Sequence, residues 1–223
     1  MIRDLTTGRP LDDLDAAVRA EERTAHGRPW VMLNMVTSID GATAVDGGST
    51  PLSDDDDREL FHALRRVADV IVVGSGTVEA EDYRPDSRLV IVSGRLSIDP
   101  SRRVFSDPDQ RPTVVGSSQA DPAKVAALRE VANVELLEDL SGSHVVGLLP
   151  AGSIVLCEGG PTLNASLFQS DVVDEIDWAV APQVVGGKSN RMTSGDALVN
   201  PARFRLARSW MGEETLFLRY VRA

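Results

Sequence analysis

Apolar residues fall in short unbroken blocks along this chain, separated by polar stretches of helical length. The run PWVMLNMV (29–36) predicts a strand of the kind buried on both faces. VIVVGSGTVEAE (70–81) reads as a β-branched strand, a glycine turn and a short helix. RLVIVSGR (88–95), PTVVG (112–116) and NVELL (133–137) are further strands, and SIVLCEGG (153–160) is a strand opening into a helix at 161–169. Helices are predicted over 12–25, 54–68 and 121–131, with a weaker one over 139–149. In the second of these, Leu60, Leu64 and Val67 share one face. Ser53 is its expected cap, and Asp54 to Asp57 lie in the first turn, where carboxylates suit the helix dipole. VDEIDWAVAPQVVGG (173–187) predicts a long strand running into a loop. FRLARSWMGEETLFLRYV (204–221) predicts a closing hairpin with its turn near Met211 to Glu213.

Strands alternating with helices indicate an α/β protein with a mixed, mainly parallel sheet, helices on both faces and an antiparallel C-terminal edge. No Pro/Gly/Ser linker divides the chain. The expected organisation is one domain over 29–223, preceded by an extension, 1–28, that carries a packed helix.

Composition narrows the function classes. The 223 residues are 42% hydrophobic and 26% charged, ordinary for a globular protein. Lys+Arg is 23 and Asp+Glu is 34, a net charge of -11 that argues against nucleic acid or an anionic membrane as partner. An anionic ligand therefore needs a local device to hold it. No apolar signal region or span-length segment is present, so a cytoplasmic protein is expected. The one cysteine, Cys157, sits in an apolar run and reads as a buried inert thiol.

Several familiar signals fail. GSGTVE (74–79) lacks the third glycine of a dinucleotide fingerprint, and GGKS (186–189) lacks the first glycine of a P-loop, because Pro182 stands there. His26, His62 and His144 have no metal-ligand spacing, so no metal is expected. Two strand–glycine–helix junctions remain, VIVVGSGTV and IVLCEGGPTL. At such a junction the first helical N–H groups and the dipole favour an anion, and glycine lets a phosphate approach the backbone. Both would lie at the carboxyl ends of parallel strands, where open α/β sheets bind ligands. Pro161 suits the first helical position, where its missing N–H removes no bond.

NMVTSIDGATA, LRRVADVIVVGSGTVEAED and LCEGGPTLNASLFQSDVVDEIDWAVAPQVVGGK together resemble the pyrimidine reductases of riboflavin biosynthesis, within the dihydrofolate-reductase-like superfamily. The matching blocks span most of 29–188 and occur in the family's order. The resemblance implies an NADPH-dependent reductase, usually a homodimer, acting on a phosphorylated small molecule. It places the cofactor on Gly74, Gly76 and Thr77 of one junction and on Gly159, Gly160, Pro161, Thr162 and Leu163 of the other. Thr37 and Glu158 flank the cofactor, and Ser93 and Arg95 follow a strand where such folds meet the 2′-phosphate. Asn34, Ser49 and Arg65 match substrate positions, and Glu81 is the catalytic acid or the residue that holds the nicotinamide. Asp40 reads as a turn former. The sequence departs from the family at EDYRP (81–85), where Tyr83 replaces a usual proline. The bifunctional members also carry a zinc deaminase half, which these residues do not match. Two other readings fit the same residues: a pterin reductase on this fold, and a non-catalytic NADP-binding dimer.

Overall fold

The computed structural model describes residues 1–24 and 26–223. In chain order the elements are β1 (Arg3–Asp4), α1 (Leu14–Arg19), β2 (Trp30–Ser38), α2 (Asp55–Val67), β3 (Val70–Gly74), α3 (Ser75–Ala80) and β4 (Leu89–Val92). There follow β5 (Thr113–Ser117), α4 (Pro122–Arg129), β6 (Asn133–Leu137), α5 (Gly142–Gly147), β7 (Ile154–Cys157), α6 (Pro161–Gln169), β8 (Glu175–Ala181), β9 (Phe204–Met211) and β10 (Leu216–Arg222). Among the described residues the strands form one ten-stranded sheet, ordered β1-β9-β10-β8-β2-β7-β3-β4-β5-β6. Pairings from β8 through β6 are parallel, and β10, β9 and β1 add an antiparallel edge. This is the mixed sheet with a C-terminal hairpin that the patterning implies.

The unbroken apolar strands are explained by burial on both faces, because side chains alternate along a strand. Val31, Leu33, Val72, Val155 and Cys157 pack with α5 and α6 on one side. On the other, Ile71, Val73 and Ile91 pack with α4, while Met32 and Leu156 meet Leu60 and Leu64 of α2. Burial pushes the Cys157 thiol up to about 12, as an inert core cysteine requires.

Three local expectations change. The helix expected over 12–25 is confined to Leu14–Arg19, and Ala25 lies outside the described residues. The cap of α2 is Asp54, not Ser53: the Asp54 carboxylate accepts the Asp57 N–H at 2.7 Å. The N-terminal segment also supplies a strand, β1, and places Ile2, Leu14 and Val18 in the core with α2.

Candidate active site

The parallel strands β2, β3, β4 and β7 end at one edge of the sheet, and a cleft of about 1330 Å³ opens there. Every site residue expected from sequence lines it except Thr37 and Gly159.

The two glycine junctions are the cleft's inner wall, and they touch. Gly74 donates its N–H to the Gly159 carbonyl at 2.7 Å. A Cβ on Gly74 would lie 3.2 Å from the Gly160 nitrogen, and one on Gly160 would lie 2.9 Å from Thr77 Oγ1. Gly159 has φ +87 and is joined to Gly160 by a cis peptide bond. The glycines thus let α3 and α6 start side by side. Gly74's N–H is committed to this contact and is not open to a phosphate, which revises the expectation for that residue. The N–H groups of Ser75, Gly76 and Thr162 have no partner among the described residues, as the first turn of a helix dictates.

Beside this wall sits a buried ionic cluster. The Glu158 side chain is 3% exposed and accepts from Arg65 Nε at 2.6 Å, Arg65 Nη2 at 2.7 Å and Tyr83 O–H at 2.6 Å. Burial works to lower the Arg65 pKa, but its bonds to Glu158 prevail and leave it raised. Burial, reinforced by the Glu158 carboxylate, drives the Tyr83 phenol well above its ordinary value, so it remains a donor. The guanidinium also lies 4.7 Å from the Phe61 ring centroid. One edge of the Arg65 fork is therefore held by protein, and only Nη1 lacks a partner among the described residues. Glu158 thus ties Arg65 of α2 and Tyr83 to the end of β7.

Glu81 closes the opposite rim. Its Oε1 accepts both the Ser49 N–H, at 2.9 Å, and the Ser49 O–H, at 2.8 Å, tying the loop between β2 and α2 to the end of α3. Asn34, in the middle of β2, lines the cleft. Thr37 does not: it is buried, and its Oγ1 accepts Trp178 Nε1–H at 2.8 Å. Positions 34 and 37 differ by an odd number, so strand alternation sends them to opposite faces. Ser93 and Arg95 follow β4; Ser93 is buried, and Arg95 is exposed with no partner among the described residues. Asp40 forms its expected turn. It accepts from Ser38 Oγ and from the N–H groups of Val185 and Gly186, and the Ser38 bond leads in holding its pKa at about 2.

Tyr83 and Asp57 are among the cleft residues that sequence reasoning missed. Tyr83 was visible only as a departure from the family pattern. Asp57 was hidden in a run of identical residues; it is buried, lines the cleft, and accepts from Ser53 Oγ at 2.5 Å.

The RibD C-terminal domain model matches residues 29–218. The chain belongs to this family. It is 34% identical over 221 residues to the 2,5-diamino-6-ribosylamino-4(3H)-pyrimidinone 5′-phosphate reductase of Methanothermobacter thermautotrophicus, covering 87% of this chain and 98% of that one. Riboflavin biosynthesis protein RibD of Mycobacterium tuberculosis is 33% identical over 162 residues, covering 72% of this chain and 44% of that protein. The chain thus corresponds to less than half of that relative. Among solved structures, a pyrimidine reductase-like protein from Corynebacterium diphtheriae superposes with a TM-score of 0.79 at 23% identity, covering 87% and 92% of the two chains. Dihydrofolate reductase from Enterococcus faecalis superposes with a TM-score of 0.50 at 13% identity, covering 86% and 96%, and shares the fold. The chain is an oxidoreductase with a dihydrofolate-reductase-like fold.

Proposed function

We propose that the cleft binds NADPH and reduces a phosphoribosylaminopyrimidine to its ribityl counterpart. The observation that carries this reading is the joined pair of glycine junctions at the cleft wall. It leaves N–H groups at Ser75, Gly76 and Thr162 without a partner among the described residues, where added Cβ atoms at Gly74 and Gly160 would be crowded. Such a cradle fits a diphosphate. Gly76 and Thr77 would hold it from one side, and Gly160, Pro161, Thr162 and Leu163 from the other. Ser93 and the exposed Arg95 would take the 2′-phosphate. When bound, the cofactor supplies the hydride equivalent, and the protein supplies orientation and electrostatics.

The remaining roles follow from the contacts. Glu81 accepts two hydrogen bonds from Ser49, so it acts as an acceptor that fixes the nicotinamide-side loop rather than as a proton donor. Arg65 keeps Nη1 for an anionic substrate group, which a protein of net charge -11 must hold locally. Asn34 and Ser49 line the same space. The two relatives that match over most of their own length are both named reductases of a ribosylaminopyrimidinone phosphate, which supports this substrate class. The family resemblance also supports a homodimer.

The test is an NADPH-oxidation assay with a phosphoribosylaminopyrimidine and with dihydrofolate, side by side. Oxidation is expected only with the pyrimidine. Turnover of dihydrofolate alone would assign a pterin reductase, and cofactor binding without oxidation would assign a non-catalytic protein.

A further inference from the structure

EDYRP (81–85) is the stretch where the chain departs from its family, and Tyr83 stands there in place of a usual proline. Proline has no side-chain donor, whereas tyrosine has one. Tyr83 brings that donor into the ionic corner of the cleft. Its backbone N–H donates to the Glu81 carbonyl at 3.1 Å, which fixes the loop just beyond α3. Its side chain packs against the core cluster of Ile71, Val73 and Ile91, and its O–H donates to Glu158 Oε2 at 2.6 Å. Burial and the neighbouring carboxylate keep the phenol protonated, so this donation persists.

The Tyr83 bond governs how Glu158 holds Arg65. A carboxylate oxygen has two lone pairs. Oε2 uses one for Arg65 Nη2, at 2.7 Å, and the other for Tyr83, while Oε1 accepts Arg65 Nε at 2.6 Å. The carboxylate is thereby fixed in orientation, and it grips the guanidinium along its Nε–Nη2 edge. Two rings flank the same group: its carbon lies 4.7 Å from the Phe61 centroid and 5.5 Å from the Tyr83 centroid. The Arg65 side chain is 26% exposed, and Nη1 is neither buried nor partnered among the described residues. One nitrogen of the fork is therefore turned to the cleft.

We propose that Tyr83 is a positioning residue for substrate binding: its hydroxyl locks the Glu158–Arg65 pair so that Nη1 is presented to the substrate's phosphate group. This rests on the reading above of Arg65 as the residue that meets an anionic substrate group. Tyr83 does not itself bond the phosphate, because its one O–H is committed to Glu158. It acts through Arg65. A free arginine side chain has many rotamers, and ordering them when the ligand arrives weakens binding. Here that ordering is completed on folding, so the substrate meets a donor already in place. Tyr→Phe removes the lock and leaves the ring, the ion pair and the cofactor junction intact.

The test compares wild type with Tyr83→Phe at saturating NADPH, using a phosphoribosylaminopyrimidine and the same compound without its phosphate. Wild type should show the lower KM for the phosphorylated compound. In Tyr83→Phe that KM should rise by about fivefold, the weight of one ordinary hydrogen bond. Its kcat, and the KM of the dephosphorylated compound, should stay at the wild-type values. Partial misfolding of the variant would not imitate this result, because KM does not depend on the active fraction and both compounds are read in one sample. A variant that keeps the full advantage of the phosphate overturns the proposal and leaves the reading of Arg65 standing. Equal rises in KM for both compounds also overturn it, because Tyr83 would then support the cleft as a whole. A wild type that uses the two compounds alike removes the reading of Arg65, and one that reduces neither removes the reductase reading; the proposal falls with each.

Discussion

Replacing Arg65 by alanine would do more than remove a phosphate contact. Glu158 would be left as a buried carboxylate with Tyr83 as its one side-chain donor among the described residues. Breaking such a pair costs roughly 3–5 kcal/mol, whereas removing both charges is often close to neutral. Arg65→Ala should therefore unfold at markedly lower urea, and Arg65→Ala with Glu158→Gln should recover most of that loss while KM for the pyrimidine stays raised. If the single variant is as stable as wild type, the cluster has no structural weight. Arg95 is the contrasting case, exposed and without a partner among the described residues. Arg95→Ala should leave stability unchanged and narrow the preference for NADPH over NADH by about tenfold, one charge-assisted contact. Equal wild-type affinity for the two cofactors would remove the 2′-phosphate assignment.

Asp57 gives a prediction with a defined sign. Burial, working against the Ser53 hydrogen bond, raises its pKa to about 6. The folded state thus binds this proton more tightly than the unfolded chain, whose aspartate titrates near 3.9. Stability from this group is present below about pH 4 and is lost as pH rises through about 6. At pH 7 the ionised group costs up to about 3 kcal/mol, so Asp57→Asn should be more stable than wild type there by about 1–3 kcal/mol and nearly equal at pH 4. Urea titrations at the two pH values decide this. A variant less stable at pH 7 would contradict it.

At the scale of elements, glycine does two separable jobs. A Cβ on Gly142 would lie 2.7 Å from Leu167 Cα and 2.7 Å from the Ser166 carbonyl oxygen, so α5 packs on α6 only because the residue is glycine. Gly142→Ala should destabilise by roughly 1–3 kcal/mol through overpacking, with cofactor affinity kept. Gly160→Ala meets a hydroxyl at 2.9 Å rather than backbone. Thr77 can rotate, so the fold should survive while NADPH affinity falls by about tenfold or more, because the rotated group and new methyl intrude on the cradle. Titration and thermal melting of both variants separate the roles, and a Gly160→Ala protein that binds NADPH like wild type would make the junction only a turn. The sequence marked both junctions through strand, glycine and helix order. It did not show that they bond to each other, because that contact joins residues far apart in the chain. The same limit hid β1, two residues long and without a period to read. The choice between Ser53 and Asp54 as cap was equally invisible, since both residue types are favoured there.

Across the whole molecule, the parallel sheet was legible because strands buried on both faces must be apolar throughout. The cleft was legible because parallel strands place their carboxyl ends together. What was not legible was direction: which way Thr37 points, which of four aspartates faces inward, and which edge of Arg65 is occupied. Those depend on packing between elements that no local pattern encodes. The central claim is that this cleft moves hydride from NADPH to the sugar carbon of a phosphoribosylaminopyrimidine. The most direct measurement incubates the protein with that substrate and NADPH carrying deuterium at both C4 positions, then weighs the product. The expected result is a ribitylaminopyrimidine phosphate carrying a single deuterium on the carbon bonded to the exocyclic nitrogen. Unlabelled product, or substrate recovered unchanged while the cofactor stays reduced, would contradict it.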